Sequence, residues 1–271
     1  MAALDTLSYP QQRIGHLWFF RGRPLSHRAH RHAEVELNVV TAGQATYLAD
    51  DRRYDLRRDD LAWLAPGRMH VLTSRSDDFA LWVVVIRPEL LLSAQAPCPA
   101  STDPAIATFR LDARSAGRLT QLCSELSTAL SPRLAAGLIY LAHLARDLGS
   151  SIEDAPKVLH PVVARAVHLL RGDPRDPGPS CLADRAGLSP GRFGRLFKRE
   201  VGCSLAQFRQ RLCLERFLAL REGGDRRSLL AVALDAGFGS YAQFHRVFTT
   251  QMGMPPSTWD VTRGEKPADA G

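Results

Sequence analysis

The sequence predicts an α+β protein of two domains: a small antiparallel β-barrel backed by a helical hairpin, then an all-α domain built on a duplicated two-helix unit. Three observations predict this. Short apolar or alternating runs fill the stretch from Arg13 to Ile86, leucines at helical spacing follow, and a pattern of Ser, Phe and Gly recurs near the end at an offset of 51 residues. A chain of 271 residues exceeds one ordinary domain and can bury two cores.

Within the first domain the runs Glu36–Thr41, Ala45–Ala49, Leu61–Ala65 and Phe79–Ile86 are split by turn residues and predict strands. From Asp112 to Gly149, Leu119, Leu122, Leu126 and Leu130, then Leu134, Leu138, Leu141, Leu144 and Leu148, recur at helical spacing around Ser131-Pro132, which predicts a hairpin. Its apolar stripe has no evident partner within its own domain, so the hairpin is expected to form the interface of a homodimer, the alternative being that the stripe packs across its own barrel. Gly149–Lys157, with Ser150, Ser151 and Pro156, reads as the linker. The first domain thus spans 10–150, with the barrel to about 110 and the hairpin over about 112–149, and the second spans 158–262.

The net charge of +7 is uneven: residues 1–159 carry 18 Lys/Arg against 17 Asp/Glu, whereas residues 160–262 carry 15 against 9. A polyanionic partner is implied for the second domain alone, and the near-neutral first domain speaks against a packaging protein that coats nucleic acid along its whole length. The cysteines Cys98, Cys123, Cys181, Cys203 and Cys213 form no C-x-x-C pair. They are expected to be reduced packing residues, not a disulfide framework or a zinc ribbon. No apolar run of about 18 residues and no signal-like start occur, so no membrane span is expected and the cytoplasm is the expected location.

The repeat superposes Ser189, Phe193, Phe197 and Gly202 on Ser240, Phe244, Phe248 and Gly253. In each copy a helix (Ser180–Ala186; Ser228–Ala236) ends at a glycine, Gly187 or Gly237, suited to a left-handed position, and a serine then caps a second helix. That is helix-turn-helix wiring. Ser240 with Gln243 matches a capping box, while Ser189 precedes Pro190 at the favoured first position. Phe193, Leu196 and Phe197, like Phe244, Val247 and Phe248, stand at i, i+3, i+4 and face the core. The opposite faces are left for double-stranded DNA: Ser189, Gly191, Arg192, Arg195 and Lys198 in the first unit, and Ser240, Tyr241, Gln243, His245, Arg246 and Thr249 in the second. Arg and Gln suit base edges, and Lys, Ser, Thr and Tyr suit phosphates. Between the units Leu205–Arg221 reads as one helix of about 17 residues, roughly 25 Å long. It would hold the two second helices about one DNA turn, ~34 Å, apart on one face of the duplex.

The stretch Leu182–Ser189, then Phe193–Lys198, and above all Ala236–Phe248 followed by Gly253-Met254-Pro255-Pro256, resembles the AraC/XylS DNA-binding domain. The resemblance covers about 160–260. It implies a sequence-specific transcriptional regulator, not an enzyme, with RNA polymerase among its partners. Gly191 and Gly194 depart from the family pattern, which places larger groups on the first recognition helix.

In the first domain His30-Arg31-His32 with Glu36 and Gly43, and then Asp60, Pro66-Gly67 and His70, are similar to the two cupin motifs. The first fits H-x-H-x3-E-x6-G in full; the second is one residue short before His70 and has Asp60 in place of the usual glycine. On a strand, residues 30, 32, 34 and 36 share a face, so His30, His32 and Glu36 would point into the barrel, with His70 added from a facing strand. Three imidazoles and one carboxylate suit a divalent transition metal: Zn, Ni, Mn or Fe. A hydrogen-bonded polar interior without metal is the alternative. A metal-dependent cupin enzyme fused to a DNA-binding domain is the rival function, which explains the four ligands but not the helix-turn-helix repeat. The expectation is a DNA-binding regulator whose barrel takes a small-molecule effector or metal and shifts the arrangement of its DNA-binding domains.

Overall fold

The computed structural model describes residues 14–21, 29–99, 105–148, 150–151, 156–175 and 178–264. The chain divides between Leu159 and His160 into two compact units. The start of the expected barrel (10–13), parts of the expected linker (149 and 152–155) and residues 176–177 of the loop before Pro179 lie outside the described residues.

In the first unit the order is β1 (Gly15–Arg21), β2 (Val35–Ala42), β3 (Gln44–Ala49), β4 (Arg52–Arg57), β5 (Asp60–Leu64), β6 (His70–Arg75), β7 (Ala80–Ile86), α1 (Pro88–Ser93), β8 (Ile106–Arg110), α2 (Ala113–Leu126), α3 (Ser131–Leu148), β9 (Ser150–Ser151) and β10 (Lys157–Val158). These strands build a six-stranded sheet, β1-β7-β2-β5-β8-β9, and a four-stranded one, β10-β4-β3-β6, with antiparallel pairing throughout the described residues. β2 is buried on both faces. Val35, Leu37 and Val39 join Leu61 and Trp63 of β5 and Trp82, Val84 and Ile86 of β7 in one apolar cluster. Glu36 and Asn38 alternate with them and point the other way, toward the four-stranded sheet, where Glu36 faces His70 at the head of β6.

The same apolar cluster holds Leu119, Cys123 and Leu126 of α2 and Leu134, Leu138 and Leu141 of α3. This corrects the expectation that the leucine stripe lacks a partner in its own domain: the hairpin packs on the six-stranded sheet. β2, β5 and β7 carry apolar residues on the hairpin side and buried residues on the inner side as well, so the sheet offers the hairpin a second buried face. The two helices approach closely, since a Cβ at Gly137 would stand 2.1 Å from Leu126 Cδ2. Leu130 and Tyr140 are the large apolar residues the hairpin leaves exposed. The expected linker is partly sheet, for Ser150–Ser151 pairs with β8 and Lys157–Val158 with β4.

The second unit is helical: α4 (Pro161–Gly172), α5 (Pro179–Arg185), α6 (Pro190–Val201), α7 (Leu205–Glu222), α8 (Leu229–Ala236), α9 (Tyr241–Met252) and α10 (Pro256–Gly264). Prolines open α4, α5 and α6, where the missing N–H costs no hydrogen bond. Gly187 (φ +64) and Gly237 (φ +110) supply the left-handed residue that turns each first helix toward its second. α7 runs one residue beyond the expected end. Its Phe217 packs against Phe244 and Phe248 of α9 at ring distances of 4.5 and 5.9 Å, so the second helix-turn-helix is fastened to α7 by an aromatic core.

Candidate functional site

Burial of Phe193 and Phe197 on α6, and of Phe244, Val247 and Phe248 on α9, turns the opposite face of each helix to solvent. On α6 this exposes Gly191, Arg192, Arg195 and Lys198; Ser189 holds the N-cap position, also exposed, without a capping hydrogen bond from its side chain. On α9 the exposed residues are Ser240, Tyr241, His245 and Arg246. Gln243 and Thr249 are only half-exposed. Gln243 Oε1 accepts the Gly239 N–H at 2.9 Å, while the Gln243 N–H donates to Ser240 Oγ at 3.2 Å. The capping box expected at Ser240 is therefore offset by one residue. A complete box stands instead at Ser204 and Gln207 ahead of α7, and its Ser-x-x-Gln spacing was readable in the sequence. The Thr249 hydroxyl is covered by protein.

The cations on these faces are uncommitted. Arg192, Arg195, Lys198 and Arg246 have no ion-pair partner among the described residues. Elsewhere in the unit Arg175 and Arg216 are bound to Asp173, Arg221 to Asp260, and Arg227 to Asp225 and Asp235. Two helix faces with unpaired positive charge can take up phosphate charge and release counterions.

In the first unit the structure brings His30, His32, Glu36 and His70 together, one ligand atom from each lying within 4.8 Å of the others. The route differs from the expected single strand. β2 begins only at Val35, and the chain bends at Ala33-Glu34, because the His32 carbonyl accepts the Gly67 N–H at 2.7 Å from the turn that follows β5. His30 reaches the site through an isolated bridge to His70, exchanging N–H···O bonds of 3.1 and 3.0 Å. Directly paired residues of an antiparallel ladder present their side chains on one side, and the two rings stand 4.3 Å apart. The turn at Pro66-Gly67 brings the chain back so that β6 starts at His70. Asp60 lies outside this cluster. It is fully buried, accepts the Arg57 N–H at 2.8 Å and pairs with Arg110 at 2.8 Å, which secures the β4–β5 turn to β8.

His32 Nδ1 lies 3.1 Å from the Glu34 carbonyl and His70 Nδ1 3.0 Å from the Arg68 carbonyl. Each contact needs a proton on Nδ1, which leaves Nε2 facing the site. His32 Nε2 is 3.0 Å, and His70 Nε2 3.8 Å, from the same Glu36 oxygen. The other Glu36 oxygen accepts from Asn38 Nδ2 at 2.7 Å. Asn38, two residues along β2 from Glu36, belongs to the site and escaped the sequence reading, although the strand period places it on the same face. Burial opposes the Glu36 charge, but the hydrogen bond from His32 and the charges of His70, His32 and His30 bring its pKa down to about 2. Burial also works against an imidazolium at His32, yet Glu36 and Glu34 outweigh it and raise its pKa. At His70 burial wins over the Glu36 charge and pushes the pKa down to about 4. The site thus combines a carboxylate held in its ionised form, an imidazole that burial keeps from protonating and an imidazole whose protonated form Glu36 favours.

Both regions fall within segments that match known families. Residues 182–260 match the model described as a helix-turn-helix domain, and residues 20–143 match the AraC-like ligand binding domain. The chain belongs to the AraC family of transcriptional regulators. It is 23% identical over 254 residues to the HTH-type transcriptional activator RhaR of Shigella dysenteriae serotype 1 (strain Sd197), covering 88% of each chain. It is similar to the solved structure of ToxT from Vibrio cholerae at 13% identity and a TM-score of 0.36, over 91% of this chain and 97% of that one. The C-terminal domain of AraT, a response regulator from Geobacillus stearothermophilus, matches at 22% identity and a TM-score of 0.38, over 42% of this chain and 97% of that domain. In this AraC-family chain the ligand-binding match contains the His–Glu cluster, and the helix-turn-helix match contains the exposed faces of α6 and α9. Among the described residues no helix is long and apolar enough to cross a membrane.

Proposed function

We propose that this AraC-family regulator reads its operator through the exposed faces of α6 and α9, and that its barrel is controlled by one divalent transition metal held by His30, His32, Glu36 and His70. The metal is then the effector, or the anchor for a small-molecule effector. The observation that carries the reading is the convergence of ligand atoms: with Nδ1 of His32 and His70 committed to backbone carbonyls, both Nε2 atoms are turned toward one ionised carboxylate oxygen. His70 Nε2 is buried and has no hydrogen-bond partner among the described residues. Once the proton between His32 Nε2 and Glu36 leaves, these atoms can converge on one cation, and carbonyls on the far ring nitrogens are the usual outer support of metal-binding imidazoles. Zn, Ni, Mn and Fe all accept this ligand set. A bound ion would supply positive charge that ties the head of β6 to the segment ahead of β2.

On the DNA side Arg246, with Arg192 and Arg195, takes the base-edge role, while Lys198, Tyr241 and the serines Ser189 and Ser240 take phosphates. His245 lies on the same face. Gln243 closes the start of α9, and it and the half-exposed Thr249 contribute less to the contact surface. The regulator acts in the cytoplasm as a homodimer, with RNA polymerase as a further partner. Because the leucine stripe is taken, the second copy would meet the hairpin on the side of Leu130 and Tyr140. The test of the metal is elemental analysis of protein purified without chelators beside a His30→Ala, His32→Ala double variant. About one equivalent in the parent and none in the variant is expected. Equal, near-zero metal in both would leave these residues as a polar barrel lining.

A further inference from the structure

The loop that follows α4 does more than join two helices. Asp173 accepts from the Arg175 backbone N–H at 2.9 Å, from Arg175 Nε at 3.1 Å and from Arg175 Nη2 at 3.0 Å, and it pairs with Arg216 Nη1 of α7 at 3.5 Å. Arg209 of α7 donates from Nη2 to the Arg175 carbonyl at 3.0 Å. With its guanidinium held by Asp173, Arg175 lays its aliphatic stem over Gly237: a Cβ there would stand 2.8 Å from Arg175 Cγ and 3.0 Å from Cys213 Sγ. Gly237 ends α8, and Ser240, three residues on, is the N-cap of α9. A segment lying before the first helix-turn-helix therefore holds the turn of the second.

We propose that the Asp173–Arg175 clasp is a positioning device for DNA reading, which sets the start of α9 relative to α7 and so governs specificity in the half-site read by the second helix-turn-helix. Two features support this role. The N-terminal residues of a recognition helix are the ones that meet base edges, and hydrogen bonds to those edges weaken steeply with misalignment. The pair is also half-exposed, at 48% for Arg175 and 38% for Asp173, and ion pairs of that kind contribute little to global stability. Without Asp173, Arg175 and Arg216 would lose the carboxylate that they share. Arg175 would leave Gly237, and the turn would lose its cover. The inference stands apart from the metal reading, since it concerns the helical unit alone.

The experiment uses the full chain and a library of duplexes carrying about 30 random base pairs, enough for two half-sites about one turn apart. Bound duplexes are sequenced for the parent, Arg175→Ala, Asp173→Ala, Asp173→Glu and, to mark the half read by α9, Arg246→Ala. The expected result for Arg175→Ala and Asp173→Ala is a loss of discrimination of about tenfold in the half marked by Arg246, near the low end of what one good base contact supplies. The other half, the salt dependence and the melting midpoint should stay as in the parent, and Asp173→Glu should recover part of the loss. Should Arg175→Ala melt early, Asp173→Asn carries the same test with the shape of the loop retained. Equal losses in both halves, equal losses on random DNA, or unchanged discrimination in every variant would each overturn the proposal.

Discussion

Replacing Phe248 by alanine should unfold the second helix-turn-helix, whereas replacing Arg246, two residues away on the same helix, should leave the fold intact and remove sequence reading. Phe248 is fully buried, with ring centroids 5.5 Å from Phe244, 5.9 Å from Phe217 and 5.5 Å from Trp259. Deleting a ring so enclosed costs about 3–5 kcal/mol. A unit of about 100 residues has about 5–15 kcal/mol in hand. At a urea slope of about 2 kcal/mol per molar, a loss of about 4 kcal/mol lowers the midpoint by about 2 M. The unfolding is followed by far-ultraviolet circular dichroism and by the fluorescence of Trp259, the one tryptophan of the helical unit. Arg246 is exposed and has no ion-pair partner among the described residues, so its removal should move stability by no more than about 0.5 kcal/mol. On a selected operator it should cost about 1–3 kcal/mol of binding, with little loss on random DNA. If Arg246→Ala destabilised the unit as much as Phe248→Ala, the assigned faces of α9 would be wrong. Equal losses on operator and random DNA would move Arg246 to the phosphate backbone.

Leu138→Asp should unfold the first unit, because Leu138 is fully buried between the hairpin and the six-stranded sheet, whereas Tyr140→Asp should leave it folded and lower the sedimentation coefficient if the exposed side of α3 joins two copies; a folded, unchanged assembly for Tyr140→Asp would count against that interface. The fragment 158–262 should bind promoter DNA with an affinity that falls steeply as salt rises, since the basic excess lies there, and a flat salt response would contradict the assigned contact face. Metal occupancy should fall as pH falls. The raised His32 pKa means that a proton holds the ligand position in mildly acid solution and must leave before metal binds, so titrations at pH 8 and pH 5 should show tighter binding at the higher pH, and equal affinity would argue against His32 as a ligand.

Much of this architecture was legible because it rests on local rules. Gly187 and Phe193 with their counterparts Gly237 and Phe244 state a left-handed turn and a buried face in residues adjacent along the chain, Ser240 states a cap that the Ser189 side chain does not make, and the four apolar runs became β2, β3, β5 and β7. What escaped depends on contacts distant in sequence. The bend before β2 is fixed by the Gly67 N–H donating to the His32 carbonyl, so counting residues along a straight strand named residues that the fold does bring together, but by the wrong path. The hairpin's partner stayed hidden because β2 alternates buried polar with buried apolar residues, and period-two reasoning names a face without naming what covers it. The Arg175 cover over Gly237 joins residues 62 apart, and no spacing rule reports it.

The barrel and the DNA-binding unit are held to act as one regulator, and linkage tests that most directly. Operator affinity of the full chain is measured with bound zinc and after chelation, and zinc affinity is measured with and without the selected operator. The expected result is a change in operator affinity of about 5–150-fold, matched by the same factor in zinc affinity, since coupling between two binding sites is reciprocal. Operator affinity that ignores zinc, together with zinc affinity that ignores the operator, would contradict control through the His30, His32, Glu36 and His70 site.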